Sequence, residues 1–141
     1  MTSLISILLF LIFLFLSSIH FYWGFCGKWG KDAVIPTKDN NIKVILPGTL
    51  STFIVALSFL GFAAFILAKT EFLNISIPPF FEKFGLWIIA IIFQLRAIGE
   101  FKYIGFFKKI KHTKFGHNDT KCYSSLCLTI VVLIIILELN K

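Results

Sequence analysis

Arg96 and Glu100 stand four residues apart in a stretch otherwise built of apolar and aromatic side chains. Groups at that spacing share one helix face, although Arg-then-Glu is the less favourable order for a helical pair. An arginine deep in an apolar segment costs at least about 2.5–3.5 kcal/mol, so Arg96 is expected to face other protein groups and to be paired. Glu100 and Asp119 both qualify as the partner, and the residues leave that choice open, as they do the alternative that the helix ends near Phe101 and Arg96 reaches out to the interface. His20, Tyr22, Trp23, Tyr123 and Ser124 complete a candidate polar cluster with Arg96, Glu100 and Asp119.

Four roles fit such a set. A guanidinium with nearby lysines holds an anion through a planar fork, and His20, Glu100, Asp119 and Tyr123 would orient it. His20 or Glu100 as general base, with Arg96 stabilising developing negative charge, would make an intramembrane enzyme. Glu100 as a coupling acid would make a small proton-coupled transporter, which needs a homodimer because four short helices are too few to enclose a pathway. Lastly, buried charges that only hold helices together describe a structural or regulatory subunit. Ser124 and Cys127 have no nucleophile–base signature around them. Cys26, Cys122 and Cys127 are odd in number and form no C-x-x-C, which argues against a redox pair or zinc ribbon. His20, Cys26, His117 and Cys122 match no metal-ligand spacing, so neither a metal nor another cofactor is expected.

These groups must be carried by membrane helices. Of the 141 residues 57% are hydrophobic, 15% are charged and 18 are phenylalanine. Soluble domains carry about 25% charged residues, so the composition lies outside that class. A crossing helix needs about 20 apolar residues. Residues 4–25, 47–68, 84–107 and 122–139 supply four such runs. They are continuous, without the alternation of a barrel strand. The expectation is an all-α, integral membrane four-helix bundle, a single membrane domain over 1–141 with short loops and no extramembrane module. Pro47 suits the first turn of the second helix, and Pro78 and Pro79 mark the loop before the third. The first run lacks a preceding Lys or Arg and a small-residue cleavage site, and is read as a retained helix. Small residues Thr52, Ala56, Gly61, Ala64 and Ala68 are expected to bring the second helix close to a neighbour.

Charge sets the orientation. Lys69, Lys83 and Lys141 fall on the side of the termini and second loop. Lys28, Lys31, Lys38, Lys43, Lys102, Lys108, Lys109, Lys111, Lys114 and Lys121 fall on the other. The positive-inside rule therefore puts both termini outside and loops 26–46 and 108–121 in the cytoplasm. Lysines that flank spans are contacts for membrane lipid headgroups, and no nucleic-acid module accompanies them. Tyr22, Trp23 and Trp29 fit an interfacial aromatic belt. By the same parity nearly all the unusual polar side chains gather in the cytoplasmic half, leaving mainly Thr, Ser and apolar residues in the other. A polar cavity or headgroup site open to one leaflet, for a small amphipathic ligand, is expected there. The residues leave open whether 31–36 folds back over it.

Several stretches together resemble a family of small bacterial four-helix membrane proteins catalogued as a domain of unknown function. They are His20-Phe21-Tyr22-Trp23-Gly24, Trp29-Gly30-Lys31-Asp32-Ala33-Val34-Ile35-Pro36, the Arg96-Ala97-Ile98-Gly99-Glu100-Phe101 segment, and Tyr123-Ser124-Ser125-Leu126-Cys127. The chain is similar to that family over essentially its whole length. It departs at Gly116, where Ala is usual in the family, and at Ser125, where Pro is usual. The resemblance implies the four-helix architecture and a bacterial inner membrane, and it implies no reaction.

Overall fold

Hydrocarbon offers no water to a backbone, so a long apolar run satisfies its own N–H and C=O groups by coiling. The computed structural model shows this outcome, and it describes residues 2–35, 37–39, 42–43, 48–70, 72–73 and 75–140. Pro36 and Pro47 lie outside those residues. In chain order, α1 spans Thr2–Gly24 and α2 is a single turn at Lys31–Val34. The antiparallel pair β1 (Thr37–Asp39) and β2 (Ile42–Lys43) follows, then α3 (Thr49–Lys69) and α4 (Pro79–Ile98). The short α5 (Lys114–Asn118) runs through a π turn at Asp119–Tyr123 into α6 (Ser124–Leu139). The architecture is thus all-α in its spans, a four-helix membrane bundle. Thr2–Gly24, Thr49–Lys69 and the continuous Lys114–Leu139 helix are each long and apolar enough to cross a membrane. The 20-residue α4 carries its charges near its ends, Glu82 and Lys83 at the start and Arg96 in the last turn.

Lipid is as apolar as a protein core, so burial against lipid gains little and the helices must be joined by packing and polar contacts. α1 packs along α3 and α4 along α6, and α1 also meets α6. Phe13 of α1 sits at the middle of the bundle with no exposed surface, its ring centroid 5.7 Å from Phe62 and 5.6 Å from Phe93. The Ser17 hydroxyl donates to the Ala56 carbonyl across α1 and α3 at 2.8 Å. Gly85 lets α4 approach α3, since a Cβ there would lie 2.3 Å from the Phe65 ring.

Three sequence expectations change. Ala56 is buried as expected of a close approach, but Gly61 and Ala64 point outward and Ala63 takes the inner position. The third long helix covers Pro79–Ile98, not 84–107. It starts early because Pro79 occupies the first turn, where its missing N–H costs nothing. It stops early because Gly99, Phe101 and Gly105 take φ of 80°, 63° and 92°. A Cβ on Gly99 would lie 1.8 Å from the Ile104 carbonyl oxygen, and one on Gly105 would lie 2.2 Å from that of Ile98. The chain doubles back here, with Phe106 N–H donating to Ala97 and Ile110 N–H to Lys102. The last helix begins at Lys114 rather than 122, because Thr113 caps it, accepting from the Gly116 N–H at 3.0 Å. Loop three is therefore a folded turn and the first stretch of a helix.

Candidate functional site

The π turn brings Asp119 to the inside of the bundle, where it has no exposed surface. Two basic residues meet it from different elements. Arg96, in the last turn of α4, donates from Nη2 to Asp119 Oδ1 at 2.9 Å. Lys108, from the doubled-back turn, donates from Nζ to Oδ2 at 3.0 Å. The Gly105 N–H at 2.8 Å and the Ser124 hydroxyl at 3.2 Å donate to the same oxygen. Three of the four donors converge on Oδ2, which is thereby complete, and Arg96 takes Oδ1.

Lys108 is equally complete. Its side chain has no exposed surface, and its ammonium donates to the Gly105 carbonyl, Asp119 and the Thr120 hydroxyl. Three partners use all the donors an ammonium has. Spare capacity is found on Arg96. Its Nη1 is buried without a hydrogen-bond partner among the described residues, while the side chain as a whole is 34% exposed. One carboxylate against two cations leaves the cluster with an excess positive charge. Arg96 also sits at a helix C-terminus, where a cation is favoured by the backbone dipole.

The structure sorts the eight candidate residues into separate groups. Arg96, Asp119 and Ser124 come together as one network. Tyr123 turns toward the first loop and donates its hydroxyl to the Ala33 carbonyl at 3.1 Å, so α2 does fold back onto the start of the last helix. His20, Tyr22 and Trp23 make a second group with the first loop. Trp23 Nε1 donates to the Trp29 carbonyl at 2.9 Å, and the Trp29 N–H to the Tyr22 hydroxyl at 3.4 Å. His20 Nδ1 is held by the Leu16 carbonyl at 2.7 Å, its ring between Trp23 and Phe59. Glu100 is exposed, past the end of α4, and takes no part in the Asp119 network. The open choice of partner for Arg96 is thus decided for Asp119, because the helix that would have aligned Glu100 with Arg96 ends at Ile98.

Two groups of residues were not singled out by sequence. Gly105, Lys108 and Thr120 complete the Asp119 network, yet Lys108 reads as one of many loop lysines. Lys69 and Glu138 form a second ion pair at the other end of the bundle, with Nζ 3.3 Å from Oε1 and Oε2 and Lys69 almost wholly buried. The expectation of a half with mainly Thr, Ser and apolar residues is corrected by that pair. Parity held the signal: α3 and α6 end on one side, and each ends in a charged residue.

Residues 13–134 match the family described as Protein of unknown function (DUF3995). The chain belongs to that family. No curated protein and no solved structure matches it.

Proposed function

We propose that this member of a family without an assigned activity is a binding protein of the bacterial inner membrane. Its Arg96 end faces the cytoplasm, with both termini outside, and Arg96 holds the anionic group of a lipid-like or amphipathic molecule. The observation that carries the reading is the unpartnered Arg96 Nη1 beside a cluster with excess positive charge. Lys108 has its three donors engaged and the Asp119 carboxylate repels an anion, so the anion falls to Arg96. The exposed Lys102, Lys109, Lys111, Lys114 and Lys121 add an attractive field for anionic headgroups at the same end.

Native mass spectrometry of the gently purified protein tests this, with wild type beside Arg96→Lys. Lysine keeps the ion pair to Asp119 and so the fold, but lacks the second arm of the fork. A discrete adduct in wild type, lost in Arg96→Lys, is the expected result and supplies the ligand's mass. An adduct pattern unchanged in the variant overturns the role of Arg96, and none in either form overturns the binding reading.

A structural or regulatory subunit is the second reading, favoured by one observation. Asp119 is completely enclosed and joins three segments of chain, which is what a helix lock requires. Under it, Arg96→Lys changes stability alone. The enzymatic reading gains little from the geometry, since His20 packs with Trp23 and Phe59 apart from the Arg96–Asp119 network, and the Ser124 hydroxyl donates to Asp119 rather than to a base.

A further inference from the structure

The end of the bundle opposite Arg96 carries two cavities that share Lys69 in their walls. One, of about 250 Å³, is lined by Lys69, Pro79, Glu82, Lys83 and Glu138. The other, of about 300 Å³, is bounded by Leu86 and Leu137 with the hydroxyls of Thr2, Ser3 and Ser6. The first is strongly charged yet balanced, with two cations and two carboxylates around it.

The buried pair at its base has unused hydrogen-bonding positions of both kinds. Lys69 Nζ donates to the Glu82 carbonyl and to Glu138 Oε1. An ammonium has three donors, so one remains among the described residues. Glu138 Oε2 is buried and accepts no hydrogen bond from the described residues, although it lies 3.3 Å from Nζ. A lone anion in this cavity would meet Glu82 and Glu138, and a lone cation would meet Lys69 and Lys83. A group with both charges has a partner for each.

We propose that this cavity is a second binding site, for a zwitterionic group bearing an N–H ammonium and a phosphate or carboxylate. The ammonium donates to Glu138 Oε2, and the anion is taken by Lys69 and by Lys83 at the exposed rim. The size agrees, being just below the ~300 Å³ at which pockets for larger organic ligands begin. The adjoining cavity, with its leucines and hydroxyls, gives a lipid's glycerol region a place beside Lys69, while a free zwitterion would use the charged cavity alone. The site is independent of Arg96.

The discriminating probe is the number of N–H donors. Phosphatidylethanolamine has a primary ammonium, phosphatidylcholine a quaternary one without N–H, and phosphatidylglycerol no cation. Lipid adducts of the detergent-purified protein are counted by native mass spectrometry with equimolar mixtures of the three. Phosphatidylethanolamine is expected to be preferred by about tenfold over phosphatidylcholine, the value of one hydrogen bond to a charged group. Glu138→Gln is expected to remove most of that preference. Lys83→Gln, on an exposed residue and so without risk to the fold, is expected to reduce it, and Arg96→Lys to leave it intact. Free phosphoethanolamine identifies the source: displacement of the lipid shows that the group alone is the ligand, and retention shows that the lipid is. Equal binding of the three lipids by wild type overturns the proposal, as does a preference unchanged in both Glu138→Gln and Lys83→Gln.

Discussion

The two ends of the bundle solve the same problem differently. At the Arg96 end one carboxylate is surrounded by four donors from three segments, and it is sealed from solvent with its lysine. At the Lys69 end one lysine meets one glutamate at 3.3 Å, with Glu138 partly exposed and a cavity alongside. The first arrangement is close to saturated, with one buried guanidinium nitrogen of Arg96 unpartnered, and among the described residues the second keeps a donor and an acceptor free on the pair itself. A saturated network locks geometry, whereas an unsaturated one retains capacity for something else.

The sharpest way to break this contrast is Asp119→Asn. It leaves two cations facing a neutral amide in an enclosed site, and removing one partner of a buried pair costs about 3–5 kcal/mol. Thermal unfolding in detergent should show a correspondingly large fall in midpoint. A wild-type midpoint would mean that the network is not a lock. At the other end, Lys69→Met strands a partly exposed carboxylate, and a smaller loss, of about 1–3 kcal/mol, is expected. Replacing both Lys69 and Glu138 by Met should recover part of it, because an apolar pair carries no desolvation cost. A double variant as unstable as the sum of the singles would show that the pair is not acting as a unit.

Finer effects test how far the lock extends. Tyr123→Phe removes the hydroxyl bonded to Ala33 and should cost about 0.5–1.5 kcal/mol. Hydrogen exchange should rise in residues 31–35 and stay unchanged in α3. Exchange that rises everywhere would make Tyr123 part of the central network instead. Glu100→Gln should move stability by no more than about 0.5 kcal/mol, as for an exposed residue outside any network. A larger fall would mean that Glu100 supports Arg96 after all.

Much of the architecture was legible because apolar length is a direct physical signal. The four runs, and the concentration of Arg96, Asp119 and Ser124 at one end, follow from hydropathy and parity alone. The misplaced boundaries have a common cause. Phe101, Tyr103, Ile104, Phe106 and Phe107 are apolar enough to read as helix, yet three positive φ angles fold them into a turn. Lys114, His117 and Asn118 are polar enough to read as loop, yet a Thr113 cap starts a helix there. Hydropathy measures what a segment avoids, while caps and left-handed glycines decide where a helix begins and ends. Glu100 was overvalued for the same reason, since its spacing from Arg96 matters only inside a helix. Lys69 and Glu138 were legible in principle, but each needs the other, 69 residues away, before it carries meaning.

The π turn at Asp119–Tyr123 settles something that α6 cannot settle for itself. From Leu126 to Ile136 the helix is apolar on every side except at Thr129 and Cys127, so its composition names no inward face. Each residue turns an α-helix by about 100°, and a π turn carries one residue more than the α pattern. Together with the anchored Asp119, it acts as an index mark for the whole helix. The rotational phase that results turns Cys127, Ile130, Ile134 and Leu137 inward along one line. Leu137 and its neighbour Glu138 thereby reach the far end already aimed, so the position of the second ion pair is dialled from the first.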